Sequence, residues 1–349
     1  MMKKFRTGIG SNTRMPKLQN NGITSSLPLL TPKAQSHRFR SVFMGILLLS
    51  GVVAAVTHLG EIQHFAQLAR QAQPIWLLVA LLLQVGTYVC AAAVWHQTLW
   101  YGDVHYPLFS LVPLGLAKLF SDQALPSGGV SGTGFFVAAL KRRGVPTDLC
   151  MATMLVSLVT YYTAYLISAL ASVALLWFYH AIHIWIIVLV GLFCLIAVAI
   201  PTGALWLRHW GKRSLPMLLK RSPGIHDLLE GFTNAPGYLL RNPFLVAKAT
   251  LFYATIFLLD AATLWAMLHT IGQNVSFLVA FPSFMVASIV ATLGPVPLGL
   301  GTFEASSVAL LKALGVPIEA GLTATLLLRG FTLWLPMLPG LWLARRELR

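Results

Sequence analysis

The chain has 349 residues, of which 57% are hydrophobic and only 10% charged, and its mean hydropathy of +0.74 exceeds what a water-exposed surface can carry. Its 25 Lys and Arg against 10 Asp and Glu fall mostly in short stretches between apolar runs, where they orient a chain in a bilayer; no nucleic-acid-binding motif accompanies them. Cys90, Cys150 and Cys194 lie in or beside apolar segments without metal-ligand spacing, which argues against a disulfide framework or a zinc site. The expectation is an all-α integral membrane protein with no metal and no cofactor.

Residues 1–40 hold eight Lys and Arg, no acid, and many Ser, Thr, Asn and Pro. Such a segment buries too little apolar surface to offset the entropy of ordering, and it reads as a basic, disordered cytoplasmic arm. From residue 41 to residue 349 the chain reads as one polytopic membrane domain, with no stretch of the roughly 50–100 residues that a separate soluble catalytic domain needs. Six segments reach the roughly 20 apolar residues of a full span: Ser41–Leu59, Pro74–Trp95, Leu149–Phe178, Ile184–Leu207, Phe244–Leu268 and Gly321–Leu343. The stretch 208–243 between two of them is basic and mildly amphipathic, and is expected to lie on the cytoplasmic side, either along anionic headgroups or as a plain connection.

Two further apolar regions are interrupted. In the first, Pro107–Leu125 meets PSGGVSGTG (Pro126–Gly134); in the second, Phe277–Leu293 meets GPVPLGLGT (Gly294–Thr302). Broken segments survive in a bilayer only where protein or a watery cavity satisfies the freed backbone groups, so both are predicted to be re-entrant hairpins.

Offsetting the chain against itself by 171 residues aligns Pro126–Asp148 with Pro297–Glu319 without a gap. Pro126/Pro297, Gly128/Gly299 and Lys141/Lys312 coincide, as do the triplets Gly144-Val145-Pro146 and Gly315-Val316-Pro317. The repeat elements are thus 107–148 and 277–319. Three predicted spans separate them, an odd number, which predicts an inverted internal repeat. The basic clusters agree: with residues 1–40 inside, Lys141–Arg143, the 208–221 run and the terminal Arg345, Arg346 and Arg349 all fall on the cytoplasmic side, as do both chain ends. Inverted repeats with broken helices are the architecture of many secondary transporters, in which the facing breaks form the substrate site.

Three acids fall at or within apolar segments: Asp122, Asp260 and Glu304. A charge at the centre of a spanning helix costs about 2.5–3.5 kcal/mol on insertion scales, so each needs a reason. Glu304 follows the second break, and Arg329 in the last span is placed to reach it. Two readings fit: Glu304 takes a substrate headgroup or a proton and Arg329 a phosphate, or the two form an ion pair that holds the hairpin. Asp122 precedes the first break, with Lys118 four residues before it, so it either serves the site or makes an i,i+4 pair. Asp260 has no charge near it in its own span, and either faces an interior path or is paired structurally. The histidines and tryptophans cluster at predicted span ends, as amphipathic rings do in any membrane protein, and none has a ligand spacing.

LPSGGVSGTGFF followed by KRRGVP, and GPVPLGLGTFEASSVALLKALGVP followed by LLLRG, resemble the flippase-like membrane region of lysylphosphatidylglycerol synthases over residues 41–349. In fused members this region is thought to move a lipid made by an attached aminoacyl-transferase domain; nothing in the present sequence corresponds to that domain, so the resemblance implies no enzyme. Stand-alone members exist, some associated with hopanoid lipids. The resemblance carries over Pro126, Gly128, Pro297, Gly299, Gly301, Glu304 and Arg329. At the first break Ser131, Gly132 and Thr133 stand where an acid and a base are common in the family, which points away from an anionic phospholipid as cargo.

The expectation is a lipid transporter or flippase of the bacterial inner membrane, with membrane lipids as partners. The competing readings are an accessory subunit that presents lipid to a biosynthetic enzyme and, against the absence of paired carboxylates, an enzyme acting on a polyprenyl lipid.

Overall fold

The computed structural model describes residues 73–124, 130–178, 183–210, 236–294 and 296–348, and every regular element among them is helical. In chain order these are α1 (Pro74–Tyr101), α2 (Leu108–Ala124), α3 (Val130–Arg142), α4 (Thr147–Phe178), α5 (Ile184–Trp210), the single turn α6 (Tyr238–Arg241), α7 (Pro243–Thr270), α8 (Phe277–Leu293), a 3-10 turn at Pro297–Gly299, α9 (Thr302–Ala313), α10 (Ile318–Arg329), a π turn at Gly330–Trp334, and α11 (Leu335–Leu348). Five helices are long and apolar enough to cross a membrane: Pro74–Tyr101, Thr147–Phe178, Ile184–Trp206, Pro243–Thr270 and the composite Ile318–Arg346. They contain five of the six predicted spans; Ser41–Leu59 lies outside the described residues, as do the arm and most of the 208–243 loop.

Local chemistry sets the helix boundaries. Pro74 and Pro243 open α1 and α7 at a position where the missing N–H is no loss. Asn242 caps α7 by accepting the Phe244 and Leu245 N–H groups, and Ser276 caps α8 by accepting that of Leu278. The last predicted span departs from a uniform helix. Directly after Arg329 the hydrogen-bond register widens into the π turn before the Pro-containing α11 resumes it, a bulge of the kind that often marks functional sites.

Helices α1 and α7 form the longest packed pair and run antiparallel, since Gln73 N–H donates to the Thr270 carbonyl at one end. Around them α4, α8 and α10 build one core from side chains such as Phe257, Leu264, Met267 and Phe284, and α2, α3 and α4 build another around Trp95, Leu114, Phe136 and Met151. Outward-facing Leu82, Val188, Leu195 and Leu251 remain exposed, as a lipid-facing surface requires. Helix α11 crosses α2 closely at Gly340, where an added Cβ would stand 2.8 Å from Phe120 Cβ and 2.9 Å from the Leu116 carbonyl oxygen. Gly340→Ala is expected to cost about 1–3 kcal/mol by overpacking. Gly203→Ala, with no atom within 4 Å of the new methyl, is expected to be neutral or stabilising by about 1 kcal/mol; thermal denaturation of the two variants in one detergent checks the contrast.

The two segments matched by the 171-residue offset share local structure. Each runs helix, break, shorter helix, left-handed glycine, long helix. Helices α2 and α8 both have 17 residues, and α3 and α9 have 13 and 12. Gly144 (φ +81°) and Gly315 (φ +90°) close α3 and α9 in the same way. Gly144 N–H donates to the Lys141 carbonyl and Val145 N–H to that of Leu140, and Gly315 and Val316 repeat this with Lys312 and Leu311. One boundary differs from expectation. Helix α3 starts at Val130, inside the glycine-rich stretch that the sequence suggests is a break as far as Gly134, because a carboxylate caps its first turn.

Candidate functional site

At the second break the backbone turns through the left-handed region at Leu298 (φ +60°), Gly299 (φ +63°) and Gly301 (φ +83°). Glu304 lies in the first turn of α9 and accepts the Gly301 N–H on Oε2 at 2.6 Å. Its Oε1 accepts from Arg329 Nε at 2.8 Å, and Arg329 Nη2 donates to the Leu298 carbonyl at 2.7 Å. The guanidinium also lies 4.6 Å from the centre of the Phe303 ring. Both side chains are nearly buried, at 11% and 14% exposure. The pair therefore clamps the break: it neutralises a charge at a helix start, and it satisfies an amide and a carbonyl that the turn leaves outside any helix.

At the first break the acid comes from the preceding helix. Asp122 accepts from Lys118 Nζ at 2.8 Å, one turn back on α2, and from the Gly132 N–H at 2.9 Å in the first turn of α3. Gly132 is required there, because a Cβ would stand 2.3 Å from the Asp122 carboxyl carbon. This geometry accounts for Gly132: the carboxylate that serves this break enters from α2, and the space it occupies excludes a side chain at that position of α3.

Asp122 and Lys118 also line the wall of a cavity of about 780 Å³. Helix α1 contributes Gln84, Thr87, Tyr88 and Trp95; α4 contributes Met154, Tyr161 and Tyr162; α7 contributes Tyr253, Ile256 and Asp260; and Thr332 reaches it from the π turn. Asp260 lies ten residues from the end of the 28-residue α7, about 15 Å along the axis and so well inside a helix of spanning length. Gln84 Nε2 holds its Oδ1 at 3.0 Å and is itself 3.0 Å from Thr263 Oγ1. No Lys, Arg or His pairs with Asp260 among the described residues.

The structure thus divides the predicted site residues. Gly299, Gly301, Glu304 and Arg329 meet at the second break, with Pro297 opening its 3-10 turn. None of them lines the cavity, whereas Asp122 and Asp260 do. Pro126 and Gly128 lie outside the described residues. Sequence reasoning missed Gln84, Tyr88, Tyr161, Tyr162 and Tyr253. The available signal was depth: an amide and a Tyr-Tyr pair in the middle of apolar spans are out of place for residues that usually seek the interface.

Helices of spanning length packed around a mostly apolar cavity, bordered by a carboxylate with no cationic partner among the described residues, define a multi-pass helical membrane protein. The chain belongs to the family described as the lysylphosphatidylglycerol synthase TM region, whose model matches residues 42–340. This membership ties it to membrane-lipid biology. No curated protein matches the sequence.

Proposed function

We propose that the protein is a carrier, not an enzyme, and that it moves a lipid or lipid-linked molecule between the leaflets of the bacterial inner membrane through the cavity between α1, α2, α4 and α7. The observation that carries this reading is Asp260. Asp260 is a carboxylate inside a spanning helix that borders a largely apolar cavity, accepts a hydrogen bond from Gln84 across the α1–α7 pair, and has no cationic partner among the described residues. The volume suits a headgroup with the start of its chains.

In this reading the broken pairs α2–α3 and α8–α9 are re-entrant hairpins of an inverted repeat, both chain ends are cytoplasmic, and the Glu304–Arg329 clamp keeps one hairpin rigid while the other borders the cargo. The partners are membrane lipids.

The test is leaflet exchange of headgroup-labelled lipid in proteoliposomes made from the source organism's own lipid extract. Wild type is expected to accelerate exchange, and Asp260→Asn, reconstituted at equal density, to reduce the added rate at least tenfold. Exchange that Asp260→Asn leaves unchanged would remove Asp260 from the path. If wild type moves nothing with any lipid or gradient, transport gives way to the accessory role of presenting lipid to a biosynthetic enzyme.

A further inference from the structure

We infer that Thr133 and Leu158 keep the cavity open and so determine what it admits. They hold, in the first matched segment, the places that Glu304 and Arg329 hold in the second, and the cavity is the space that their smaller, uncharged side chains leave unfilled. This rests on the reading of the cavity as the cargo path, and goes further by naming the residues that hold the path open.

The helix registers carry the correspondence. The 171-residue offset that aligns the two breaks also pairs Thr147 with Ile318, the first residues of α4 and α10. Arg329 is the twelfth residue of its helix, and Leu158 is the twelfth of its own. The same offset sets Glu304 against Thr133 and Phe303 against Gly132. All three side chains of the clamp thus have smaller, uncharged counterparts. In the second segment the ion pair at 2.8 Å and the ring 4.6 Å from the guanidinium occupy the space between α9 and α10. In the first segment, Thr133 on α3 and Leu158 on α4 both border the cavity.

The first break has no need of a clamp from α4, because it is served from the other side. Asp122 on α2 accepts the Gly132 N–H at 2.9 Å and takes its cation, Lys118, from its own helix at 2.8 Å. This relieves α4 of supplying a guanidinium, and a leucine at its twelfth position borders an apolar space at no cost in unpaired charge. The backbones differ in the same sense. Directly after Arg329 the register widens into the π turn, whereas α4 continues as a regular helix past Leu158 to Phe178.

Charge makes the assignment testable. Asp122 and Asp260 share the cavity wall with Leu158. A cation at that position would meet carboxylates in the same space and close it, as Arg329 closes the second segment, and an anion of the same size would be repelled.

The experiment introduces the charge after folding. Leu158→Cys is made in a chain carrying Cys90→Ala and Cys194→Ala, with the buried Cys150 retained. The folded protein in dodecyl maltoside is treated with a cationic or an anionic methanethiosulfonate of similar size, which forms a mixed disulfide with the thiol and releases a sulfinate. Both reagents are expected to react to completion at the introduced thiol, and at the one introduced by Thr133→Cys, but not with the parent chain. The cationic Leu158→Cys adduct should unfold several degrees above the anionic one. In proteoliposomes, either adduct should cut the added rate of leaflet exchange at least fivefold by filling the path, and dithiothreitol should restore it. An unreactive thiol at either position in monodisperse protein, Leu158→Cys adducts of equal stability, or exchange that neither adduct slows would each overturn the proposal. Both adducts are formed on one folded protein, so no result depends on whether a charged variant folds. Reactivity and stability are read without transport. A chain that meets both expectations but moves no lipid refutes carriage and leaves Thr133 and Leu158 as the residues that hold the cavity open; a chain whose exchange continues through both adducts keeps carriage and loses the proposal.

Discussion

Arg329→Met is expected to be among the most destabilising single substitutions in the protein, at about 3–5 kcal/mol, because it strands the nearly buried Glu304 carboxylate and frees the Leu298 carbonyl. Glu304→Gln should cost less. Its side-chain oxygen still accepts the Gly301 N–H, and the guanidinium retains the Leu298 carbonyl and the Phe303 ring. The informative measurement is a double-mutant cycle by thermal or denaturant unfolding in a single detergent. Removing both charges with Glu304→Met and Arg329→Met should cost less than the sum of the single changes, since neither charge is then left alone. An Arg329→Met protein as stable as wild type would show that the pair does not hold the break. Asp260→Asn, which disturbs no ion pair among the described residues, is expected to change stability little and to act through lipid handling, so the two acids separate by phenotype.

Gly299→Ala is the second large effect. Its φ of +63° is a region that L-residues occupy at a cost of about 1–2 kcal/mol, and the new methyl would lie 2.5 Å from Ala291 Cβ and 3.2 Å from Ala291 Cα on α8. Relief of that overlap means moving the turn away from α8, which adds about 1–3 kcal/mol. Gly301→Ala shares the left-handed backbone, at φ +83°, but meets nothing within 4 Å. It should show the conformational cost alone. Unfolding midpoints of the two variants check this ordering, and equal losses would mean that the break does not pack on α8 as described.

The spans were legible because a bilayer demands unbroken apolar length, and that demand is met or failed within a single segment. The breaks were legible for the same reason: Gly and Pro interrupt apolar runs that nothing else interrupts. The Glu304–Arg329 contact was also foreseeable, since two rare charges in a charge-poor chain need partners. The cavity was not. Gln84 and Asp260 are 176 residues apart, and their meeting depends on the antiparallel packing of α1 on α7, which no local pattern encodes. Tyr161 and Tyr253 meet in the same way, across α4 and α7. At the first break, the need for Gly132 comes from the Asp122 carboxylate that occupies the space of a Cβ, a relation visible only once α2 and α3 are set side by side.

The two ends of the α1–α7 pair are built differently. At one end the Gln73 N–H bonds to the Thr270 carbonyl, and Trp76, Trp265 and His269 pack ring against ring, with centroids 4.4–5.2 Å apart. Trp265 Nε1 ties in the Val275 carbonyl as well. The other end borders a second cavity of about 460 Å³ lined by His96, Trp100 and Lys248. Gln84 stands about 16 Å along α1 from the ring-fastened end. A tilt of α1 about that end by about 5° would shift Gln84 against Asp260 by about 1.3 Å, more than their 3.0 Å hydrogen bond tolerates.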